Sequence, residues 1–154
     1  MSVHSKLKAI QKKLKAPKNQ KNTFGGYKYR SCEDILEAVK PLLYENDCTL
    51  TINDEVVPII DNVYVKATAT LTDCESGEVT TATAYAREQE TAKGMSDPQI
   101  TGSCSSYARK YALNGLFCID DTKDADATNT GDEPQQEPKR RSRRKMVVDE
   151  RCPF

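Results

Sequence analysis

The sequence has few of the residues that catalytic and membrane proteins commonly use. Its 154 positions contain one histidine, no tryptophan and only 6% aromatic residues. No run of about 18 apolar residues occurs, and the lysine-rich start has no apolar segment typical of a signal peptide. We therefore predict a cytoplasmic chain with no membrane span, no secretory signal and no membrane partner.

Motifs for metals, redox chemistry and nucleotides are also missing. The six cysteines, at positions 32, 48, 74, 104, 118 and 152, are scattered and form no C-x-x-C pair, so the sequence offers neither a zinc ribbon nor a thioredoxin-type site. We interpret the cysteines as reduced thiols that serve as small apolar residues. No G-x-x-x-x-G-K phosphate loop occurs either, and we expect no cofactor and no metal.

The charges are balanced in number but segregated along the chain. There are 23 basic and 23 acidic residues, yet residues 1–30 contain nine lysines or arginines and no acid. Residues 139–145 carry six positive charges in seven positions. Segregated charge of this kind predicts a polyanionic partner, since a mixed surface would keep the protein equally soluble.

The first part of the chain predicts two helices joined by a polar loop. Apolar residues at positions 3, 7, 10 and 14 form one stripe of an amphipathic helix, and five lysines lie outside this stripe: Lys6, Lys8, Lys12, Lys13 and Lys15. Ser31 and Asp34 form a capping box that begins a second helix, which should extend to about Tyr44. Pro41 predicts that this helix kinks or ends early.

The middle of the chain changes to the alternating pattern of β-strands. Residues 49–52, 63–71 and 79–86 predict three strands, with turn residues at 61–62 and 75–77. We predict an α+β fold in which a three-stranded antiparallel meander is covered on one face by helices. Length and composition allow one core, so residues 1–127 should form the folded domain and residues 128–154 a disordered polar and basic tail.

A third helix is predicted from Pro98 to Leu113, with Ser96 or Asp97 as its cap and Asn114–Gly115 at its end. On a helical wheel the residues predicted to face the sheet are Ile100, Cys104, Tyr107 and Tyr111. The other face contains Gly102, Ser105, Ser106, Arg109 and Lys110. Small residues beside a guanidinium let an anionic backbone approach, and serine hydroxyls can donate to phosphate oxygens. Close packing against another helix is the alternative interpretation.

Two segments carry a resemblance to a known family. Residues 27–35 read YKYRSCEDI, and residues 94–113 include GMSDPQ and SYARKYAL. Together with the meander, they resemble the essential recombination function (ERF) family of bacteriophage single-strand annealing proteins, over about residues 3–127. The β-β-β-α order more distantly resembles the eukaryotic strand-annealing mediators.

The resemblance implies a homo-oligomeric ring or helical array in a bacterial host. A positively charged groove in this array would hold single-stranded DNA, and annealing would need no ATP. The tail ends in Pro-Phe after acidic residues, faintly similar to the terminal peptide of bacterial single-strand-binding proteins. Host single-strand-binding or replication proteins are therefore candidate partners.

Annealing requires that the DNA backbone is held while the bases stay readable. We predict that Arg109 and Lys110 neutralise phosphates, helped by the small residues Gly102, Ser105 and Ser106. Lys66 and Arg87 lie on adjacent predicted strands and are candidates for the groove wall, with their sheet face left open. The remaining candidates are Tyr27 and Tyr29, which would stack on bases or else close the core, and Lys28 and Arg30, which would contact phosphates.

Three other functions fit parts of the sequence. A protein that only protects single-stranded DNA would have the same basic and aromatic residues, and so would an RNA-binding module. A metal-dependent nuclease would need grouped carboxylates, and the acidic residues are Asp120, Asp121, Asp124 and Asp126. Because the spacing of these acids does not fit an EF-hand and the single histidine is at position 4, we expect no catalysis.

Overall fold

The computed structural model describes residues 1–23, 26 and 28–119. Their elements, in chain order, are α1 (Val3–Lys13), β1 (Gln20–Lys21), β2 (Lys28–Tyr29), α2 (Cys32–Glu45), β3 (Cys48–Ile59), β4 (Asn62–Asp73), β5 (Val79–Arg87) and α3 (Asp97–Phe117). None of the helices in these ranges has the length and apolar character needed to cross a membrane. The predicted domain boundary near residue 127 lies outside the described residues.

The three long strands form the antiparallel meander predicted from the sequence. Their order is β3-β4-β5, with a tight turn between Ile59 and Asn62 and a longer one between Asp73 and Val79. β3 is longer than the predicted strand, because pairing with β4 continues through the polar residues 53–55 and Pro58. An edge strand tolerates proline, since one row of its N–H groups needs no partner in the sheet.

The two faces of this sheet differ. On one face, Val65, Ala67, Ala69 and Leu71 of β4 are buried, with α3 packed over β4 and β5 and α2 over β3. The other face, here called the threonine face, has no helix on it among the described residues. Seven threonines lie there: Thr49, Thr51, Thr68, Thr70, Thr72, Thr81 and Thr83. The α+β architecture with helices on one face is thus confirmed.

Helix α1 packs by its apolar stripe as predicted, but one of its lysines is buried. Val3 and Ile10 are buried, and so is Lys6, whose Nζ donates to Asp73 Oδ1 at 2.5 Å. The hydrogen bond from Lys6 and one from the Glu75 N–H outweigh burial and lower the pKa of Asp73 well below its usual range. Of the five lysines outside the apolar stripe, Lys6 thus lies in the core and pairs within the chain.

Helix α2 begins as predicted. The Ser31 N–H donates to Asp34 Oδ2 at 2.8 Å, and the Asp34 N–H donates to Ser31 Oγ at 3.2 Å, which confirms the capping box. The helix continues past Pro41 to Glu45. Val39 before the proline is buried and Leu42 after it packs on the core, so packing on both sides offsets the lost backbone hydrogen bond.

Helix α3 ends four residues later than predicted. It passes through Asn114–Gly115 and ends at Phe117, and the cap residue Cys118 has a left-handed backbone with φ 54°. Leu116 and Phe117 are both buried, and their burial favours another turn of helix over a stop at Gly115. The Gln11 side chain of α1 donates to the Leu116 carbonyl at 2.8 Å and so satisfies one carbonyl at the end of the helix.

Three cysteines are buried in the core as small apolar residues: Cys32, Cys48 and Cys104. Every cysteine in the described ranges is a free thiol, and Cys152 lies outside them. Their predicted use as small apolar residues is confirmed for these three.

Candidate nucleic-acid interface

The buried stripe of α3 differs from the predicted one. It is formed by Ile100, Cys104, Ala108 and Ala112, each four residues after the last. Tyr107 and Tyr111, which were predicted to face the sheet, are 54% and 47% exposed, so that prediction is wrong. A helix that lies close to a sheet brings its backbone near the strands. Alanines fit that contact, and the bulky tyrosine rings are placed beside it.

Successive residues of a helix are rotated by 100°, so the rest of α3 falls into three zones around this stripe. One flank of the stripe carries Ser105 and Arg109, and we call it the arginine side. The other flank carries Tyr107 and Tyr111, and we call it the tyrosine side. The outer surface, opposite the stripe, has Gly102, Ser106 and Lys110. The predicted phosphate-binding residues of the helix thus lie together on the arginine side and the outer surface.

On the arginine side, two of the predicted residues already hold an anion. Arg109 Nε donates to Asp54 Oδ2 at 2.9 Å and to Oδ1 at 3.1 Å, and Arg109 Nη2 lies 2.9 Å from Asp54 Oδ2. Ser105 Oγ donates to the same carboxylate, which belongs to β3. Ser105 and Arg109 therefore form an anion-binding pair, and in this structure its anion comes from the same chain.

The opposite charges of Asp54 and Arg109 stabilise each other's ionised form. Burial opposes ionisation of Asp54, but hydrogen bonds from Arg109 and Ser105 outweigh it and lower the pKa of the carboxyl. The hydrogen bond to Asp54 in turn raises the pKa of the Arg109 guanidinium. Asp54 is thus a carboxylate at neutral pH, and a phosphate that reached the Nε–Nη2 edge of Arg109 would have to take its place.

The start of α2 lies near the arginine side. Helix α2 packs against α3. Burial and the charge of Glu33 raise the pKa of the Cys32 thiol, while the positive charges of Arg109 and Lys110 act in the opposite direction. Arg30, two residues earlier, is only 9% exposed, so in this structure its side chain is directed into the protein. Lys28 is exposed and Tyr29 is 38% exposed.

Phe24, Gly25 and Tyr27 lie outside the described residues, so the predicted stacking role of Tyr27 stays a prediction. The segment around them is held by the short pairing of β1 with β2. In this pairing, Gln20 lies opposite Tyr29 and Lys21 opposite Lys28.

The strand residues proposed for the groove wall lie away from the arginine side. Lys66 is directly opposite Tyr85, and Arg87 is opposite Tyr64. These four residues share the register of the threonine face, so Lys66 and Arg87 have the sheet between them and Arg109. Lys66 Nζ also pairs with Glu55 Oε2 at 2.8 Å. Lys66 therefore does not lie on the same surface as the cations of α3.

The tyrosine side borders a groove that the sequence did not predict. The rings of Tyr107 and Tyr111 have centroids 6.1 Å apart and are tilted by 44°. The groove between α3, the end of β5 and the following loop has a volume of about 380 Å³. Its lining includes Tyr85, Arg87, Gln89, Met95, Ile100, Ser103, Tyr107 and Tyr111. The available signal was the pair of tyrosines four apart, beside alanines with the same spacing.

A larger cavity of about 800 Å³ shares Arg87, Gln89 and Ile100 with this groove. Four carboxylates line it: Asp61, Glu88, Glu90 and Asp97. Its charge is unfavourable for a phosphate backbone. Across the described ranges no three side chains of His, Cys, Asp or Glu are grouped so that they could hold a metal ion, and Asp120–Asp126 lie outside those ranges.

Comparisons with known proteins agree with the resemblance read from the sequence. The family model described as the ERF superfamily matches residues 3–150. The essential recombination function protein of Salmonella phage P22 is 62% identical over 123 residues, which are 80% of this chain and 58% of the phage protein. This chain thus spans a little over half of that relative's length. No solved structure matches it. The chain belongs to the ERF superfamily.

Proposed function

We propose that the protein binds single-stranded DNA and anneals complementary strands without a nucleotide, in the homologous recombination of a bacteriophage. Membership in the ERF superfamily supports this function, as does the recombination named for its P22 relative. The single structural observation that carries the proposal is the anion-binding pair of Ser105 and Arg109, which holds a carboxylate beside the surface of α3. We propose that it acts by binding and not by catalysis.

The outer surface of α3 extends this pair into a path for a DNA backbone. Gly102 has no heavy atom within 4 Å of the position that a Cβ would occupy, so a backbone can approach there. Ser106 is exposed; its hydroxyl donates to the Gly102 carbonyl at 3.1 Å and would have to rotate away from it to donate to a phosphate oxygen. Lys110 adds a positive charge on the same surface. Lys110 would neutralise about one phosphate, and Arg109 about one more when Asp54 no longer holds its charge.

Neutralised phosphates are what annealing needs. Two complementary strands repel each other through their backbones, and cations that release the counterions of one strand lower this repulsion. Contacts limited to phosphates and to the faces of bases leave the hydrogen-bonding edges free for pairing. Such a protein would accelerate duplex formation for any complementary sequence.

We also propose that the protein acts as a homo-oligomer. The β3–β4 hairpin carries four exposed apolar residues near its tip: Val56, Ile59, Ile60 and Val63. Ile60 has φ 52°, a conformation that is costly for a β-branched residue. An apolar tip of this kind fits burial against a neighbouring copy. Host single-strand-binding or replication proteins stay candidate partners.

The first test mixes labelled complementary strands with the protein and no nucleotide, and follows duplex formation by energy transfer. We expect faster annealing with the wild type and weaker single-strand binding for the double variant Arg109→Ala, Lys110→Ala. The slope of log affinity against log salt should fall by roughly 0.7 for each phosphate that the variant no longer neutralises. The matched control, Lys8→Ala with Lys12→Ala on the exposed part of α1, removes the same charge and should change the slope much less.

The same mixtures distinguish the rival functions. Retarded pairing would indicate protection alone, and cleavage of labelled strands with Mg²⁺ would indicate a nuclease. Preference for RNA in competition with DNA of the same sequence would indicate an RNA-binding module. An unchanged salt slope in the folded double variant would remove Arg109 and Lys110 from the binding site.

A further inference from the structure

We propose that the groove on the tyrosine side of α3 is a base-binding site, in which Tyr107 and Tyr111 stack on unpaired bases of the bound strand. This inference rests on the proposed single-strand binding and adds a site on the opposite flank of α3 from the predicted phosphate contacts. Its ligand is the face of a nucleobase in single-stranded DNA, with no requirement for a particular base.

Tyr107 and Tyr111 expose aromatic surface that a ligand can contact. Each ring is about half exposed, although it lies on a helix whose neighbouring stripe is buried. The rings form a tilted pair at 6.1 Å, an arrangement that aromatic rings favour, and each ring still has surface available to a ligand. Tyrosines held in place by a helix present an aromatic surface that loses little conformational freedom on binding.

The size and lining of the groove suit a nucleobase. Its volume of about 380 Å³ falls within the range of roughly 300–1,000 Å³ typical of sites for small organic groups. Met95 and Ile100 contribute apolar surface, and Gln89 and the tyrosine hydroxyls supply hydrogen-bonding groups. A base has the same combination of apolar faces and polar edges.

Charge selects this groove over its neighbour. Arg87 lines both cavities, but the larger cavity is bordered by four carboxylates. The groove residues of β5 and α3 include no carboxylate. A strand with bases in the groove would therefore meet Arg87 at one end and Lys110, adjacent to Tyr111 in the sequence, on the outer surface of α3.

Stacking in this groove would serve annealing directly. An aromatic ring contacts the face of a base, so the edge that pairs with a complementary strand is left free. The phosphates would be held across the outer surface of α3, while the bases would be held apart from one another at its tyrosine flank. Unstacked bases with free edges are then available to the second strand.

The test compares two ligands of equal length and charge, an oligothymidine and a strand of abasic sugar-phosphate units. For Tyr107→Ala with Tyr111→Ala we expect affinity for oligothymidine to fall by fivefold or more, since each stacked base contributes about 1–3 kcal/mol and 1.4 kcal/mol is tenfold. Affinity for the abasic strand and the salt slope should stay unchanged. Tyr107→Phe with Tyr111→Phe should bind both ligands nearly as the wild type does.

The matched control is Tyr44→Ala, because Tyr44 is 91% exposed on α2 and should affect neither ligand. Mass photometry and circular dichroism accompany every variant. Equal loss for both ligands, or a smaller oligomer in the alanine variant, would assign the groove to another role, such as contact with a second copy. Wild-type protein that binds no single strand would overturn the proposed function instead, so the two failures are distinguishable.

Discussion

The two flanks of helix α3 carry different kinds of potential ligand contacts, and the two sets are in different states. On the arginine side, Arg109 and Ser105 are engaged by Asp54 of β3. On the tyrosine side, Tyr107 and Tyr111 border an open groove. A DNA strand would have to displace a carboxylate to reach the Nε–Nη2 edge of Arg109 on the first flank, whereas it could stack on the second without breaking an ion pair.

This difference shows that a cationic side chain such as Arg109 can be partly exposed to solvent and yet already be engaged by an anion of the same chain. The inward row of β3 reads Cys48, Leu50, Ile52, Asp54 and Val56, so an acid takes a position where an apolar residue is expected. The same occurs in β4, where Asp73 follows Leu71 in the inward row. Each acid pairs with a helix cation, Asp54 with Arg109 and Asp73 with Lys6.

The largest expected effect comes from removing the anchor that both flanks share. Phe117 is fully buried at the end of α3. Phe117→Ala should lower the free energy of unfolding by about 3–5 kcal/mol, since it leaves a cavity in the core. Guanidinium chloride titration measures this loss. For each folded molecule, binding of DNA to the arginine side and to the tyrosine side should weaken by a similar factor. Weaker binding to one side alone would show that the two sides do not depend on the same packing.

A smaller and opposite effect is expected for Asp54→Asn. The variant keeps the size of the side chain but removes the charge that competes with phosphate for Arg109. Single-strand affinity should rise by about tenfold, or about 1.4 kcal/mol, with a salt slope steeper by roughly 0.7. Fluorescence anisotropy over a salt series measures both, and Glu55→Gln is the control because Glu55 pairs with Lys66 on the threonine face.

The gain from Asp54→Asn should not depend on pH near neutrality. Hydrogen bonds from Arg109 and Ser105 hold the pKa of Asp54 below its usual value, so the wild-type carboxylate stays ionised from about pH 6 to 8. Its contribution to stability is present above the pKa of the unfolded chain and is lost only as pH falls through the lowered pKa of the folded state. A gain that fades between about pH 8 and 6 would show that another group, one that titrates in this range, controls Arg109.

The smallest effect is expected for Ser105→Ala. The hydroxyl donates one of the hydrogen bonds to Asp54, and its loss should cost about 0.5–1.5 kcal/mol of stability. Because Arg109 is then held less firmly, single-strand affinity should change by less than about threefold in either direction, an order-of-magnitude expectation for one hydrogen bond in a network. Thermal unfolding and anisotropy measure the two quantities. A larger loss of affinity would make Ser105 a direct phosphate ligand.

The fold could be predicted from the sequence wherever one periodicity dominated. Alternation in β4 and β5 and the capping box at Ser31 defined the meander and the start of α2. Helix ends were less predictable, because burial of Phe117 in the tertiary structure outweighed the local stop signal at Gly115. The burial of Lys6 could not be predicted from α1 alone, since its partner Asp73 is 67 residues away.

The candidate site was predictable only in part, for a similar reason. The composition of α3 placed Ser105 and Arg109 together, and in the structure both donate to one carboxylate. A helical wheel favours tyrosine as a core residue, but the spacing between α3 and the sheet favours Ala108 and Ala112. Asp54 carries no signal in the sequence alone, because an acid within a strand resembles an interruption of the pattern. Its inward register is the sign that a cation lies above it.

The threonine face shows how a sheet can leave one of its faces exposed to solvent. Threonine has the branched Cβ that suits a strand, and its hydroxyl can hydrogen-bond to water or to a neighbour, as Thr68 does with Thr83 at 3.2 Å. Strand formation on this side therefore needs no second layer of helices. Because its threonine side chains carry no charge and Lys66 there is matched by Glu55, single Thr→Cys changes at the end of this face away from Arg87, at Thr49 or Thr72, are suitable places for fluorescent or spin labels that report on the bound strand without touching α3.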